Sequence, residues 1–313
     1  MTPSRILLIR SGGLGDFILT LPVVDALRAR WPDATLEILG RPAIALLAGD
    51  RISRIRSIDE RCFAHLFVGS ESGGASDPAA SYVASFDLVV SFLGTPDSEF
   101  GRRLSSLAPR VVFVGMPQAN GLHACTQFLD ALKPLGIDPP KAVPRVELSR
   151  EQEEEGERLV QRLLRSNAAG TRIVVHPGSG GLLKNWPPRQ FAETIRLLRD
   201  AGKSVIVLEG EADTHAVREL MTDIEGEHIP LLREASLLEV AGVIKASQLV
   251  IANDSGIAHL AASVGTPLIC LFGPTDPNIW RPLGDSVRVL TFQEATPARV
   301  FEEAVRLTGN FAS

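Results

Sequence analysis

The sequence predicts an α/β protein with two domains, each built on a parallel β-sheet. Three observations support this fold class. Short apolar runs alternate with stretches of helical periodicity along the whole chain. Several of these runs end in turns rich in glycine, serine or aspartate, as the strands of parallel sheets often do. The chain has 313 residues, of which 45% are hydrophobic, and this is enough to bury two ordinary cores.

The apolar runs define ten predicted strands, four in the first half of the chain and six in the second. Their ranges are 5–10, 36–39, 86–91, 110–114, 172–176, 203–208, 228–232, 248–252, 267–272 and 287–290. A proline-rich stretch between the two groups reads as a linker, and Ser149 after it is a typical helix N-cap. We therefore expect domains at 1–148 and 149–313, with a final helix over 297–308.

The first predicted strand runs into a glycine turn, 11–15, and Asp16 opens the helix that follows. Pro22 either kinks this helix or marks its first turn. The glycines allow close backbone approach at a strand end, where doubly wound sheets build their active sites. They do not form a dinucleotide fingerprint, because no third glycine follows at the required spacing. Arg41 after the second strand leaves an NADP-dependent oxidoreductase as an alternative.

The segment 249–274 reads as a buried strand, a small polar turn, a short helix and a second buried strand. Ser255 and Gly256 open the helix, where free backbone N–H groups and the helix dipole favour an anion such as phosphate. Gly265 ends the helix.

Two further strand ends carry polar groups. The strand over 173–175 leads into a glycine and serine loop that contains Lys184, which has the parts of a phosphate cradle without a Walker pattern. The strand that ends at Leu208 delivers Glu209, Glu211 and Asp213 to the same edge, where an acid could bind hydroxyl groups.

Three segments, GGLGDFILTLP, HPGSGGLLKNWP and NDSGIAHLAASVGTPLICLFGPTDP, occur in this order along the chain. They resemble the signatures of glycosyltransferase family 9, the ADP-heptose:lipopolysaccharide heptosyltransferases. The resemblance implies a GT-B fold, in which two Rossmann-like domains face each other across a cleft and the final helix packs back toward the first domain. It also implies an inverting, metal-independent transfer of heptose from ADP-L-glycero-β-D-manno-heptose to an inner-core sugar of lipopolysaccharide. No cofactor is expected.

The resemblance gives roles to individual residues. Asp16 matches the proposed catalytic base, and Lys184 matches the lysine that contacts the donor phosphate. Glu209, Glu211 and Asp213 include the counterpart of a donor-binding acid, and we favour the last two. The full set of expected donor-binding residues is Ser179, Gly180, Glu211, Asp213, Asp254, Ser255, Gly256 and His259, with Asp254 directed to sugar or ribose hydroxyls. The acceptor is expected to contact Gly13, Arg10 and Arg61, since arginines suit an anionic sugar.

Charge and cysteine content restrict the partners. A net charge of −5 argues against nucleic acid. The three cysteines follow no zinc-binding pattern, and no metal site is expected. We expect a cytoplasmic monomer whose contact with the membrane, where it occurs, is peripheral. Two alternatives besides the oxidoreductase stay open: a family member that uses another nucleotide sugar or acceptor, and a non-catalytic nucleotide-sugar-binding protein.

Overall fold

The computed structural model describes residues 2–67, 77–138, 143–165, 170–210 and 213–309. The chain divides into two compact units, Met1–Pro144 and Arg145–Ser313. The division falls in the proline-rich stretch, four residues before the predicted boundary.

The first unit contains a parallel sheet with the order β3-β2-β1-β4-β5. Its described strands are β1 (Arg5–Arg10), β2 (Thr35–Gly40), β3 (Arg54–Ser57), β4 (Leu88–Ser91) and β5 (Val111–Phe113). Four of these were predicted, and β3 was not. Its sequence, RIRS, carries arginines because it lies at the sheet edge, where a strand needs little apolar character.

The helices of the first unit cover the sheet and bury its apolar side chains. They are α1 (Leu14–Ile18), α2 (Leu21–Arg30), α3 (Pro42–Ala45), α4 (Pro78–Ala84), α5 (Glu99–Leu107) and α6 (Ala124–Asp130). Pro22 lies in the first turn of α2, where its missing N–H costs no hydrogen bond. Leu7, Ile9 and Val89 of the sheet pack in a cluster with Phe63 and Phe86.

The second unit contains a parallel sheet with the order β11-β10-β9-β6-β7-β8. Its described strands are β6 (Arg172–His176), β7 (Ser204–Leu208), β8 (Leu231–Leu232), β9 (Leu249–Asn253), β10 (Leu268–Phe272) and β11 (Val287–Thr291). All six were predicted, but β8 is only two residues long. The prediction over 228–232 was too long because it included Pro230, which has no N–H for the ladder.

The helices of the second unit are α7 (Arg150–Leu164), α8 (Pro188–Asp200), α9 (Thr214–Asp223), α10 (Leu237–Lys245), α11 (Gly256–Ser263), α12 (Pro277–Trp280) and α13 (Pro297–Gly309). Ser149 caps α7 as predicted, and its hydroxyl accepts from the backbone N–H of Gln152. Within this unit α13 packs on α8, β9 and β10. Its expected return toward the first domain stays a prediction.

Each sheet reverses its direction of growth at the centre. In the first unit β2 and β3 extend from one side of β1, while β4 and β5 extend from the other. In the second unit the reversal lies between β6 and β9. The loops that leave two such central strands diverge, and the crevice between them is where open α/β sheets bind ligands. The candidate sites therefore belong at the carboxyl ends of these strands.

Helices α7 and α10 approach so closely that their contact requires glycine. A Cβ atom built on Gly156 would lie 2.2 Å from the carbonyl carbon of Gly242. Because the atoms of Gly242 that this Cβ would meet belong to the backbone, no side-chain rotation can relieve the overlap.

We expect Gly156→Ala to push the two helices apart and to destabilise the protein. The overlap should outweigh the gain in helix propensity of up to about 1 kcal/mol and leave a net loss of about 1–3 kcal/mol. Thermal unfolding would measure the loss. Gly181→Ala is a matched control in the same unit, since a Cβ there meets nothing within 4 Å. A Gly156→Ala protein as stable as the control would contradict the requirement.

Candidate active site

Asp16 lies in the first turn of α1, in the loop that follows β1. One carboxylate oxygen, Oδ2, accepts from the backbone N–H of Gly13 at 3.1 Å. The other, Oδ1, lies 3.3 Å from Nη2 of Arg10. The Asp16 side chain remains 38% exposed, so a ligand can reach the carboxylate. A Cβ on Gly12 would approach the Cβ of Asp16 to 2.8 Å, which explains why the turn needs a glycine there.

Arg10 is buried at the end of β1, with 6% of its surface exposed. Its guanidinium group lies over the rings of Phe92 and Phe128, at 4.8 and 5.5 Å from their centroids. Burial lowers the pKa of Arg10 from its ordinary value, and the charge of Asp16 opposes that shift. Nη2 also donates to the backbone carbonyl of Asp16 at 3.1 Å. These contacts make Arg10 a partner of Asp16, and its expected contact with an acceptor stays a prediction.

The other expected acceptor residues are accessible. Gly13 is exposed, although its N–H is used by Asp16. Arg61 is exposed at the start of a 3-10 helix, Arg61–Leu66. The contact of either residue with an acceptor stays a prediction.

In the second unit, a buried amide joins two loops at the end of β9. The side-chain oxygen of Asn253 accepts from the backbone N–H of Trp186 at 2.9 Å. Its nitrogen donates to the carbonyl of Pro177 at 2.7 Å. Trp186 is fully buried and packs edge-to-face on Phe191. The segment before Trp186 is thereby fixed beside the carboxyl ends of β6 and β9.

Lys184 precedes this anchored segment and forms an ion pair with Asp254. Its Nζ atom lies 2.8 Å from Oδ2 of Asp254, which also accepts from the hydroxyl of Thr275 at 2.6 Å. The Asp254 side chain is 5% exposed, whereas that of Lys184 is 36% exposed. The lysine therefore compensates a buried carboxylate while part of its own side chain remains exposed to solvent.

Ser179 and Gly180 lie in the loop that leaves β6. Ser179 is buried, and its hydroxyl contacts the carbonyl of Gly181 at 2.8 Å and Oδ1 of Asn185 at 2.7 Å. Gly180 is exposed, and a Cβ built on it would meet nothing within 4 Å. This loop leads directly into the turn that carries Lys184.

Asp213 is buried and forms a hydrogen bond with His176, the last residue of β6. The distance from Oδ2 of Asp213 to Nε2 of His176 is 2.8 Å, and Oδ2 also accepts from the N–H of Gly210 at 3.0 Å. Burial opposes ionisation of this carboxyl, but the hydrogen bond and charge of His176 and the Gly210 N–H lower the pKa of Asp213 below its ordinary value. Gly178 must be a glycine, since a Cβ there would lie 1.9 Å from the Asp213 carboxylate.

Ser255 is the N-cap of α11. Its hydroxyl lies 3.5 Å from the N–H nitrogen of Ala258 and 3.5 Å from Nδ1 of His176. Both distances are at the upper limit for hydrogen bonds, so neither partner holds the hydroxyl tightly. Ser255 and Gly256 are partly exposed, while His259, further along the helix, is buried.

The remaining acids near β7 have different positions. Glu209 lies 3.0 Å from Nη2 of Arg233. Glu211, one of the expected donor-binding residues, lies outside the described residues. Of the two described acids at this edge, Glu209 and Asp213, it is Asp213 that contacts His176, whose Nδ1 atom faces Ser255.

His176, Asn253 and Thr275 were missed as site residues in the sequence. The first two are polar residues at the end of otherwise apolar strands, RIVVH and LVIAN. A polar side chain at such a position must find a partner because it lies at the buried edge of the sheet. This signal could have identified both. Thr275 gives no comparable signal in the sequence.

The described ranges contain neither a cluster of metal-binding side chains nor a helix that could span a membrane. No group of three or more histidine, cysteine, aspartate or glutamate side chains is arranged to hold a metal ion. Every described helix is also too short or too polar to cross a lipid bilayer.

Comparisons with known proteins relate this geometry to a family. The sequence model described as glycosyltransferase family 9 (heptosyltransferase) matches residues 107–307. Lipopolysaccharide heptosyltransferase 3 of Escherichia coli is 25% identical over 299 residues, covering 87% of this chain and 84% of that protein. Lipooligosaccharide heptosyltransferase 2 of Haemophilus influenzae is 22% identical, covering 95% and 91%.

Solved structures agree on the fold. The ADP-heptose lps heptosyltransferase II of E. coli superposes with a TM-score of 0.78 at 19% identity, covering 99% of this chain and all of that one. A family 9 glycosyl transferase from Veillonella parvula gives a TM-score of 0.79 at 18% identity, with 98% of each chain covered. The two parallel-sheet units are those of the GT-B fold. Because the family model spans more than half of the sequence, the chain belongs to glycosyltransferase family 9, the heptosyltransferases.

Proposed function

We propose that this protein transfers heptose from an ADP-heptose donor to a sugar of the lipopolysaccharide inner core. Family membership supports a glycosyltransferase. It argues against the NADP-dependent oxidoreductase that the sequence had left as an alternative. The names of the relatives, which are lipopolysaccharide and lipooligosaccharide heptosyltransferases, support the acceptor class. The observation that carries the proposal is the Lys184–Asp254 pair beside Ser255, at the switch point of the second sheet.

The proposed base is Asp16. An inverting transfer needs a group that takes the proton of the acceptor hydroxyl as that oxygen attacks the sugar. The carboxylate of Asp16 is accessible, and Arg10 and the Gly13 N–H hold one oxygen each. Arg10 is therefore a positioning residue, because its buried guanidinium fixes the carboxylate at the end of β1. The acceptor sugar would approach from the exposed side of Asp16, near Gly13 and Arg61.

The proposed donor site is in the second unit. The departing ADP carries a diphosphate whose negative charge must be stabilised as the bond to the sugar breaks. Lys184 supplies a cation, and the first turn of α11 supplies backbone N–H groups at Ser255 and Gly256. Ser179 and Gly180, in the loop that leads to Lys184, would line the same site. Asp254 would accept hydrogen bonds from sugar or ribose hydroxyls. Together these groups make a transfer without a metal ion feasible.

The donor is tested by thermal unfolding in the presence of ADP-, UDP- and GDP-sugars. We expect ADP-heptose to raise the unfolding temperature most. A ligand at about one hundred times its dissociation constant adds roughly 2.7 kcal/mol of stability, which such an assay detects readily. Preferential stabilisation by a UDP-sugar would rule out the heptose donor while leaving the fold and family unaffected.

We expect Asp16→Asn to reduce transfer by at least about a hundredfold, because the amide cannot accept the acceptor proton. Donor affinity, measured by calorimetry, should change little, since Asp16 is not part of the proposed donor site. Asp25→Asn is the matched control: Asp25 lies on α2 and is 43% exposed in an ion pair with Arg51. Undiminished turnover in the Asp16 variant would refute its role as the base.

We expect Lys184→Met to weaken donor binding and to lower turnover by about a hundredfold or more. The substitution removes a cation and also leaves the buried Asp254 charge facing the diphosphate. Adding Asp254→Asn to this variant should restore about tenfold of the lost donor affinity, because the repulsive charge is then gone. Steady-state kinetics and calorimetry on the single and double variants would measure both effects. A double variant that binds donor no better than Lys184→Met would contradict this assignment.

A further inference from the structure

Three loops of the second unit meet at one carboxylate oxygen. Oδ2 of Asp254, which follows β9, lies 2.8 Å from Nζ of Lys184 and 2.6 Å from Oγ1 of Thr275. Lys184 lies in the loop that leaves β6, and Thr275 lies in the loop that leaves β10. Because β10, β9 and β6 are neighbours in the parallel sheet, these loops leave it at the same edge. Thr275 therefore belongs to the same group of polar side chains as the proposed phosphate-binding lysine.

The loop after β10 packs closely against the loop that carries Lys184. A Cβ atom built on Gly273 would lie 3.1 Å from the carbonyl oxygen of Leu183, which is closer than most real Cβ contacts. On its other side Thr275 is followed by Asp276, whose side chain caps the first turn of α12. The backbone of Thr275 is thus held between a close contact of two loops and a capped helix end.

The direction of the hydrogen bond from Thr275 follows from the ion pair between Lys184 and Asp254. The carboxylate of an ion pair can only accept hydrogen bonds, so the hydroxyl of Thr275 donates its one proton to Oδ2. A carboxylate has about four lone-pair sites on its two oxygens. The ammonium group and the hydroxyl therefore occupy both sites of Oδ2.

The two donors to Oδ2 share the task of stabilising a buried charge. The side chain of Asp254 is 5% exposed, and a buried carboxylate is costly unless it is paired and hydrogen-bonded. Thr275 stabilises part of this charge by a short hydrogen bond, so Lys184 does not stabilise it alone. If the hydroxyl were removed, the carboxylate would depend more strongly on the ammonium group of Lys184.

A donor diphosphate would compete with Asp254 for this same ammonium group. Lys184 has three N–H donors and can contact both anions, but each anion draws the ammonium group toward itself. A carboxylate whose charge is already stabilised by a hydroxyl loses less when the ammonium group shifts toward a ligand. The hydrogen bond from Thr275 therefore favours the diphosphate in this competition.

We propose that Thr275 is a positioning residue for Lys184. Its hydrogen bond weakens the hold of Asp254 on the ammonium group, so that Lys184 can bind the diphosphate of the donor. This inference rests on the proposed function, in that the ligand is a nucleotide diphosphate sugar. Thr275 acts on the donor through the other two side chains.

Two variants separate the hydroxyl of Thr275 from its methyl group, because Thr275→Val keeps the shape and Thr275→Ser keeps the hydroxyl. We expect Thr275→Val to weaken ADP-heptose binding about three- to tenfold, which is less than the full effect of losing a hydrogen bond to a charged group. The KM for the donor should rise by a similar factor, and the KM for the acceptor should not change. Thr275→Ser should bind the donor as the wild type does. A smaller fraction of folded protein would lower kcat alone, so the donor KM separates the two effects.

Thr291→Val is the matched control. Thr291 ends β11 in the same unit, and its hydroxyl donates to the carboxylate of Glu294 at 2.7 Å. The substitution therefore removes the same kind of hydrogen bond outside the proposed donor site. We expect this control to bind ADP-heptose and to turn over as the wild type does.

A double-mutant cycle with Asp254→Asn tests whether Thr275 acts through this carboxylate. In the Asp254→Asn background the charge that holds Lys184 is absent, so Thr275→Val should change donor affinity much less than it does in the wild type. Calorimetry on the four proteins measures this difference. Thermal unfolding of the same four proteins without donor should show a larger loss from Thr275→Val when Asp254 is present.

Several results would overturn the proposal. They are an unchanged donor affinity in Thr275→Val, an equal loss in Thr275→Ser, a loss that persists in full in the Asp254→Asn background, and additive losses in thermal unfolding. A persistent loss would show instead that Thr275 contacts the donor directly. Should Thr275→Val not fold, Thr275→Ala compared with Thr275→Ser isolates the same hydroxyl. Absence of ADP-heptose binding to the wild type would instead remove the proposed function, and the inference with it.

Discussion

Both units depend on the constraint that a parallel sheet brings all its strand ends with the same direction to one edge. The reversal of strand order then opens that edge at one position, between β1 and β4 in the first unit and between β6 and β9 in the second. Asp16 follows β1, and His176, Asn253 and Asp254 stand at the ends of β6 and β9. Residues that are far apart in sequence therefore lie close together, because the strands that carry them are neighbours in the sheet.

At both positions a carboxylate is held by a cation, but burial is divided in opposite ways. In the first unit the buried partner is Arg10, and the carboxylate of Asp16 is accessible. In the second unit the carboxylate of Asp254 is buried, and Lys184 is the accessible partner. An accessible carboxylate suits a base, whereas an accessible ammonium group suits the stabilisation of a leaving diphosphate. The same kind of pair thus serves two different tasks in the proposed reaction.

Much of the proposed site could be predicted from the sequence because it follows local rules. The glycine turn before Asp16, the loop with Lys184 and the N-cap at Ser255 are each contained in one segment, so their patterns survive without knowledge of the fold. What could not be predicted is which groups pair with one another. Lys184 and Asp254 are 70 residues apart, and His176 and Asp213 are 37 apart. Their pairing changes their surroundings: Asp213, which is expected to bind the donor, lies 2.8 Å from Nε2 of His176.

The sequence by itself determined the fold class, ten of the eleven described strands and the family, since alternating apolar periods and contiguous motifs are properties of short segments. It missed β3, where arginines at a sheet edge hide the strand. The tertiary structure alone decided the order of the strands, the burial of Arg10 beneath Asp16 and the connection from Asp213 through His176 to Ser255. These features depend on strand neighbours and on partners for buried polar groups, and both are fixed only when the sheets form.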